Sequence, residues 1–294
     1  MNKISTILGL NEIYQKYDAF ILDQWGVMHD GLNGFENAIH CIKRLFDKNK
    51  LLFIISNSSK RKKATISRLP DLGFDPNYFK EVLTSGEMIW QSLIKGNYDE
   101  TKNLGKNCFH ISNEKKEGRN IFLEGLDKFN FVNNISEADF ILGCTPFIKH
   151  KVIDYVPLLE LAKKNDLPFI CANPDYETVE SKSLKLTFCM GTIAELYKDI
   201  GGETFILGKP KNEIYHETIK KFSNLKKSRI LAIGDSLHHD IKGAMNFGID
   251  SLLITSTGIH NALFDKKNPN WHDNYKPLPN LQVEPTYISS ELVF

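Results

Sequence analysis

Short apolar segments that end in polar residues alternate along this chain with segments of helical spacing. Residues 19–23 and 51–55 have the apolar character of strands buried on both faces, and residues 35–48 between them have the spacing of a helix. Further strands are expected at residues 205–207, 230–233 and 251–255. This alternation predicts an α/β fold with a mostly parallel sheet. Because such sheets place their sites at the carboxyl ends of strands, the polar residues that follow these segments are candidate site residues.

The middle of the chain repeats this alternation by itself. Strands are expected at residues 109–112, 140–143 and 169–172. A helix is expected at residues 153–165, and the whole stretch is long enough for a core of its own. We therefore expect a first domain formed by residues 1–84 and 203–294, with a second α/β domain, residues 85–202, inserted into it.

The charge balance and the cysteine pattern narrow the class of protein. The 294 residues include 37 Lys and Arg and 36 Asp and Glu, so charge gives no reason to expect a nucleic acid or a membrane as partner. The five cysteines are scattered, with no Cys-x-x-Cys pair, which favours a reducing compartment. With no leader pattern and no apolar run of membrane-spanning length visible, a cytoplasmic location is expected.

Four polar segments follow strands of the first domain. They are Asp23-x-Trp25-Gly26-Val27, Ser56-Asn57, Lys209-Pro210 and Gly234-Asp235-Ser236-x-x-x-Asp240. Each segment alone is a weak signal, since Gly-Asp after a strand is common and Lys-Pro has little meaning. Their order, their positions after strands and the insertion between the second and the third make a chance arrangement a poor explanation.

This arrangement resembles the haloacid dehalogenase-like hydrolases, and more narrowly their class IIA branch of sugar- and nucleotide-phosphatase-like proteins. Residues 172–175 (Ala-Asn-Pro-Asp) and 285–287 (Pro-Thr-Tyr) are also similar to that branch. The resemblance covers nearly the whole chain. It implies a Rossmann-like core, an inserted cap domain that closes over the site and sets substrate choice, and a small phosphorylated metabolite as substrate. Cap-to-cap dimers occur in similar proteins, so a homodimer is a candidate assembly.

The resemblance also implies a role for each polar residue. Asp23 matches the nucleophile, whose carboxylate would attack phosphorus to form an aspartyl-phosphate. Asp235 and Asp240 match the acids that bind Mg²⁺ or orient its ligands. Asp23 and the backbone carbonyl of Trp25 would complete the oxygen ligands that suit this hard ion. The expected catalytic residues are Asp23, Ser56 and Lys209, and the expected phosphate-binding residues are Ser56, Asn57 and Lys209.

Trp25 departs from the family's pattern. In the phosphatases of this family the residue two positions after the nucleophile is an Asp that protonates the leaving group. An indole N–H is only a hydrogen-bond donor, and losing a general acid or base typically costs about 10²–10⁴-fold in rate. His29 or Asp30, in the same loop, could supply the proton, or both could only shape the turn. Alternatively, a good leaving group would need no acid, or the protein binds a phosphorylated ligand with little or no turnover.

Structural explanations remain open for each segment. Asp23 could cap a turn, Ser56 and Asn57 could form one, Lys209 could be a surface lysine, Asp235 could cap the turn that follows it, and Asp240 could be the first acid of its helix. Solvent or helix-capping contacts are expected for His238 and His239 rather than a metal. A dehalogenase is the other enzymatic alternative. It would fit the missing acid, but not a metal-binding acid pair or a large inserted domain.

Overall fold

Two parallel sheets organise the protein. The computed structural model describes residues 4–113, 119–179, 186–261 and 282–294. Within these ranges the strands are Ser5–Thr6 (β1), Ala19–Leu22 (β2), Leu51–Ser56 (β3), Phe79–Thr84 (β4), Asn107–Ile111 (β5), Asn130–Val132 (β6), Phe140–Gly143 (β7), Phe169–Cys171 (β8), Glu177–Val179 (β9), Leu186–Phe188 (β10), Thr204–Ile206 (β11), Ile230–Gly234 (β12), Asp250–Ile254 (β13) and Tyr287–Ser289 (β14). The α-helices there are Glu36–Asp47 (α1), Lys62–Arg68 (α2), Ser85–Lys95 (α3), Asp99–Lys102 (α4), Arg119–Leu123 (α5), Val156–Lys164 (α6), Met190–Asp199 (α7), Asn212–Ile219 (α8) and Lys242–Phe247 (α9).

The first sheet has the order β1-β14-β13-β12-β2-β3-β4, and all of its paired strands are parallel. β2 lies at its centre, where Leu22 pairs with Ile233 of β12 on one side and with Ile54 of β3 on the other. All four residues of β2 are buried, as expected for a strand covered on both faces. The predicted α/β class with a parallel sheet is confirmed. The residues that follow these three central strands emerge side by side at one edge of the sheet.

Local sequence explains where the chain turns from strand to helix. β4 is followed directly by α3, and the Thr84 side chain accepts a hydrogen bond of 2.9 Å from the Glu87 N–H at the start of that helix. This contact is a standard N-cap, and an acid in the first turn suits the helix dipole. α3 ends at Gly96, whose φ of 56° is a left-handed conformation that favours glycine.

The second sheet has the order β11-β8-β7-β5-β6 and is also parallel throughout. An antiparallel pair, β9 with β10, accompanies it. The expectation that the strand near Phe205 belongs to the first domain is wrong, because Phe205 pairs with Ile170 of β8. Spacing along the sequence predicts that a strand exists, but tertiary contact decides which sheet it joins. The predicted division into residues 1–84 with 203–294 and 85–202 otherwise stays a prediction.

One apolar cluster joins the two sheets. It contains Phe53 and Ile55 of the first sheet, Phe140 and Leu142 of the second, and Ile89 of α3, all of them buried. Because apolar burial is the main stabilising term in packing, this cluster holds the second sheet against the first. None of the described helices is long and apolar enough to cross a membrane.

Candidate active site

The carboxyl ends of the central strands bring the predicted site residues together. Asp23 follows β2, Ser56 ends β3 and Asp235 follows β12, and all three are buried. The Asp23 backbone N–H donates a hydrogen bond of 2.9 Å to the carbonyl of Ile233, which fixes the start of the loop that carries Trp25. This clustering is the geometry expected when parallel strands end at one edge of a sheet.

Lys209 lies between two of the carboxylates. Its Nζ is 2.5 Å from Oδ1 of Asp23 and 2.6 Å from Oδ1 of Asp240, and all three side chains are less than 10% exposed. Burial lowers the pKa of Lys209, but the attraction of Asp23 and Asp240 outweighs it and raises that pKa well above its usual range. The lysine is therefore a permanent positive charge held against the expected nucleophile.

Asp23, Asp235 and Asp240 form a compact acidic cluster. One oxygen of each lies within 4.8 Å of the others. Burial, reinforced by the Asp240 charge, raises the pKa of Asp23 to about 7, although Lys209 opposes the shift. Burial, followed by repulsion from Asp23 and Asp240, raises the pKa of Asp235 well above its usual range. These raised pKa values show that three ionised carboxyl groups repel one another beside a single ammonium, and an all-oxygen donor set of this kind fits a hard divalent cation such as Mg²⁺.

Two glycines leave room for the Asp235 carboxylate. A Cβ on Gly26 would lie 2.2 Å from Oδ2 of Asp235, and a Cβ on Gly258 would lie 2.3 Å from Cβ of Asp235. The carboxylate is also oriented by the Ile259 N–H, which donates to Oδ2 at 2.9 Å. In the same way the Ser236 N–H donates to Oδ2 of Asp240 at 3.1 Å. Both acids are therefore held in fixed directions by backbone.

Asn57 clamps the backbone of Lys209. Its Oδ1 accepts a hydrogen bond of 2.8 Å from the Lys209 N–H, and its Nδ2 donates to the Lys209 carbonyl at 3.0 Å. The same Nδ2 donates to Oδ1 of Asp175, in the loop that follows β8, at 2.8 Å. These contacts favour a positioning role for Asn57, whereas phosphate binding by Asn57 stays a prediction. Ser56 is buried, and its Oγ accepts a 3.3 Å hydrogen bond from the Ser58 N–H.

His239 contacts the loop that follows β8 of the second sheet. Its Nε2 lies 3.1 Å from the carbonyl of Pro174, and its Nδ1 lies 3.0 Å from Oγ of Ser236 and 3.4 Å from Oδ1 of Asp175. The expectation of solvent contact is wrong for this residue, which is buried. The Ser236 Oγ does accept the His239 N–H at 3.3 Å, so a capping contact is present. Asn57 and His239 thus hold the loop at residues 173–175 beside the acidic cluster.

The loop after Asp23 is shaped by its own side chains. The Trp25 ring meets the His29 ring edge to face, with 5.6 Å between the ring centroids. Nδ1 of His29 accepts a hydrogen bond of 3.0 Å from the Gly31 N–H. Burial, followed by the Arg68 charge, lowers the pKa of His29 to about 4. The ring is therefore neutral near pH 7 and has no imidazolium proton to give.

Asp30 holds the same turn. Its Oδ1 accepts hydrogen bonds from the N–H groups of Leu32 at 2.8 Å and Asn33 at 2.7 Å. Burial works against ionisation of Asp30, but the hydrogen bonds from Asn33 and Leu32 outweigh it and lower the pKa. An ionised carboxylate has no proton to donate. The contacts of His29 and Asp30 therefore favour the turn-shaping alternative for both residues.

A cavity of about 200 Å³ opens beside these residues. Gln24, Trp25 and Ser56 line it from the ends of β2 and β3, and Asn173 and Asp175 line it from the loop that follows β8. Ligand cavities usually measure about 300–1,000 Å³, so this one suits a small molecule. Gln24 and Trp25, the two residues that follow Asp23 in the chain, form part of its wall.

Sequence reasoning missed several of these contacts. The clamp by Asn57 and the contact of His239 with Pro174 join residues more than 60 positions apart in the chain. Arg68 also lines the cavity, although the sequence marks it only as part of a basic helix. The paired carboxylates and Lys209 were visible in the sequence because each follows a strand. No comparable signal marks a side chain whose role depends on the inserted domain.

Comparison with known proteins agrees with this geometry. A protein-family model for haloacid dehalogenase-like hydrolases matches residues 20–114, and a second family model, for HAD-hydrolase-like proteins, matches residues 206–287. Together the two matches cover more than half of the chain, on either side of residues 115–205.

Individual relatives extend the likeness to nearly the whole chain. The acid sugar phosphatase of Staphylococcus epidermidis is 21% identical over 280 residues, which are 94% of this chain and 95% of that protein. The structure of a haloacid dehalogenase-like hydrolase from Brucella suis is 29% identical, covers 98% of this chain and 100% of that one, and has a TM-score of 0.80. A glycerol phosphate phosphatase from Mycobacterium tuberculosis, solved with magnesium, shares the fold at 20% identity, with 95% and 77% coverage and a TM-score of 0.65. The chain belongs to the haloacid dehalogenase-like hydrolases.

Proposed function

We propose that the protein is a Mg²⁺-dependent phosphatase that acts on a small phosphorylated metabolite through an aspartyl-phosphate at Asp23. The observation that carries this proposal is the buried contact of Lys209 with Asp23 and Asp240, inside a cluster of three carboxylates. Relatives named as acid sugar phosphatase and glycerol phosphate phosphatase support the choice of phosphate ester hydrolysis. The class IIA assignment, by way of the inserted α/β domain, belongs to the same proposal.

In the first step a carboxylate oxygen of Asp23 attacks phosphorus. The new P–O bond forms as the bond to the leaving oxygen breaks, and that oxygen departs with the electron pair. The Lys209 ammonium, 2.5 Å from Asp23, keeps the nucleophile in place and offsets the repulsion between two anions. Ser56 and the backbone N–H that follows it would donate to the phosphoryl oxygens.

The acidic cluster would hold the cation. Asp23, Asp235, Asp240 and the backbone carbonyl of Trp25 are the proposed ligands, directly or through a water molecule. Bound Mg²⁺ would neutralise charge on the phosphoryl oxygens. The excess of carboxylates over ammonium groups in this buried cluster supports the assignment.

In the second step water attacks phosphorus, breaks its bond to Asp23 and releases inorganic phosphate and the free carboxylate. The water loses a proton in this step, and the leaving oxygen of the first step gains one. Trp25 stands where relatives would carry the acid for both transfers, and its indole cannot exchange a proton near neutral pH. We therefore expect faster turnover of aryl and acyl phosphates, whose leaving groups need no proton, than of alkyl phosphates.

The test is Asp23→Asn, assayed with 4-nitrophenyl phosphate and MgCl₂. We expect a loss on the order of 10³-fold or more, as for other nucleophile removals. Asp18→Asn is the matched control, because Asp18 lies at the opposite end of β2, half exposed and paired with Arg229. Turnover that survives Asp23→Asn unchanged would show that Asp23 is not the nucleophile.

A second candidate function is binding of a phosphorylated ligand without efficient turnover. The observation that favours it is the Trp25 indole beside Asp23, with His29 and Asp30 engaged in the turn. It predicts that inorganic phosphate and Mg²⁺ bind together in calorimetry while phosphate esters stay intact. Clear turnover that Asp23→Asn abolishes would exclude it.

We further propose a cytoplasmic location, supported by the five cysteines, all of them buried and none of them in a disulfide. A reducing compartment is where such thiols persist. A homodimer stays a prediction, and light scattering of the purified protein would test it.

A further inference from the structure

Arg68 is a half-buried cation without an acidic partner in the part of the chain that the structure describes. It ends α2 and lines the cavity beside Trp25. One guanidinium N–H donates to the carbonyl of Gly31, and none of the ion pairs among the described residues involves Arg68. An arginine has five N–H donors in a planar fork that matches an oxyanion. Removing such a charge from water is costly unless an anion accompanies it.

The surroundings of Arg68 make this part of the cavity positive. Lys60 lines the same wall, and after burial the charges of Arg68 and Lys60 lower the pKa of His29, whereas the Asp30 charge between them in strength raises it. Asp175 is the acid among the residues that line the cavity, and its Oδ1 is already engaged by Asn57 and His239. A concave wall with two cations concentrates anions.

The positive wall lies apart from the residues that would bind the transferred phosphoryl group. Lys209 serves Asp23 and Asp240 at the acidic cluster, whereas Arg68 lies on α2, and the Gly31 carbonyl ties it to the far end of the Trp25 loop. Ser56, a proposed phosphate-binding residue, lines the same cavity as Arg68, and the cavity measures about 200 Å³, which is room for a leaving group of only a few carbon atoms. A substrate that spans them therefore has a phosphate at one end and a second anion at the other.

We propose that Arg68 is a specificity residue that binds a second oxyanion, a carboxylate or a phosphate, on the leaving group of the substrate. This inference rests on the proposed phosphatase function and names its substrate class as small phosphate esters with a second anionic group. Arg68 would make a bidentate contact with that group, and Lys60 would add its charge.

The test compares two substrates that differ only at the second group. Glycerol 3-phosphate and 3-phosphoglycerate have the same skeleton, with a hydroxymethyl group in one and a carboxylate in the other. We expect wild-type kcat/KM to favour 3-phosphoglycerate by about tenfold or more, since a hydrogen-bonded charge pair discriminates by that order. 1,3-Propanediol bisphosphate against 3-hydroxypropyl phosphate asks the same question for a second phosphate on a three-carbon skeleton. A preference in the first pair alone identifies the second anionic group as a carboxylate. A preference in the second pair alone identifies it as a phosphate.

Variants of Arg68 distinguish binding of the second anionic group from support of the loop through the Gly31 carbonyl. Arg68→Gln should lower the preference ratio roughly 10- to 100-fold, and Arg68→Lys should lower it less because the charge remains. Lys63→Gln is the matched control on the same helix, since Lys63 is exposed and paired with Glu124. Equal losses for both members of a pair, or a wild-type enzyme with no preference in either pair, would overturn the proposal.

Failure of the phosphatase proposal would look different. In that case no phosphate ester, 4-nitrophenyl phosphate included, is hydrolysed. Calorimetry with 3-phosphoglycerate, glycerol 3-phosphate and MgCl₂ then tests Arg68 directly. Tighter binding of the carboxylate by the wild type, reduced at least about tenfold in Arg68→Gln, supports the proposal, and identical binding by the two proteins contradicts it.

Discussion

Gly26→Ala should damage the site through a single added methyl group. The new Cβ would lie 2.2 Å from Oδ2 of Asp235, where ordinary contact begins at 3.4 Å. It would also lie 3.2 Å from Cα of Gly258, so the backbone on the far side cannot simply move away. The carboxylate of Asp235 must therefore shift by about 1 Å, a displacement that can cost roughly 10²-fold in rate.

Gly248→Ala is the matched control for this change. Both glycines have a φ of 77°, and at that angle alanine costs about 1–2 kcal/mol. A Cβ on Gly248 would meet nothing within 4 Å, so this variant has the backbone strain without the clash. Any difference between the two variants therefore reports the contact with Asp235.

The assay is turnover of 4-nitrophenyl phosphate as a function of MgCl₂ concentration, with thermal unfolding followed in parallel. We expect Gly26→Ala to lose about 10²-fold in activity and to need more Mg²⁺ for half of its maximum. Gly248→Ala should keep wild-type kinetics with a melting temperature a few degrees lower. The reasoning is refuted if Gly26→Ala keeps wild-type Mg²⁺ dependence, or if both variants lose activity equally.

Three further changes test other parts of the site. Asn57→Ala leaves the buried N–H and carbonyl of Lys209 without their side-chain partner, which should lower the free energy of unfolding by about 2–4 kcal/mol and reduce turnover. Asn37→Ala, which removes only an exposed hydrogen bond, should change thermal unfolding little, and equal shifts in the two variants would contradict the clamp. Trp25→Asp should raise turnover of alkyl phosphates by about 10²-fold or more relative to 4-nitrophenyl phosphate, and no change in that ratio would mean that another group moves the proton. His29 has a pKa of about 4 in the fold against 6.5 in the unfolded chain. Its contribution to the free energy of unfolding is therefore fully present above pH 6.5 and is lost as pH falls toward 4. At pH 5 this loss is about 2 kcal/mol, and His29→Gln should therefore lose less thermal stability between pH 7 and pH 5 than the wild type does; identical losses would contradict the shift.

Much of the candidate site could be predicted because its residues follow strands. Asp23, Ser56 and Asp235 end or follow buried strands, and the neighbours in a parallel sheet bring such positions together. The carboxylate cluster was therefore accessible from the order of these segments, whereas its contact with Lys209, which follows a strand of the second sheet, was expected only from the family resemblance. The alternation of apolar and helical segments also predicted the α/β class.

Contacts between the two sheets could not be predicted in the same way. The strand at residues 204–206 has local apolar character that fits either sheet, and its pairing with Phe169–Cys171 depends on packing. His239 is surrounded by polar sequence that indicates a surface turn, yet the loop at residues 173–175 covers it. Burial of a polar residue by a distant segment leaves no local pattern.

The sequence by itself determined the fold class, the order of the charged segments and the identity of Trp25 after the nucleophile. These features depend on local hydrophobic pattern and residue chemistry, and both are visible in the amino-acid sequence without the structure. Only the tertiary structure decided that His29 and Asp30 are engaged in a turn, that Asn57 holds Lys209, and that Arg68 lines the cavity without an acidic partner among the described residues. The reason is physical: hydrogen bonding, burial and charge compensation depend on which distant groups meet, and that is set by packing of the whole chain.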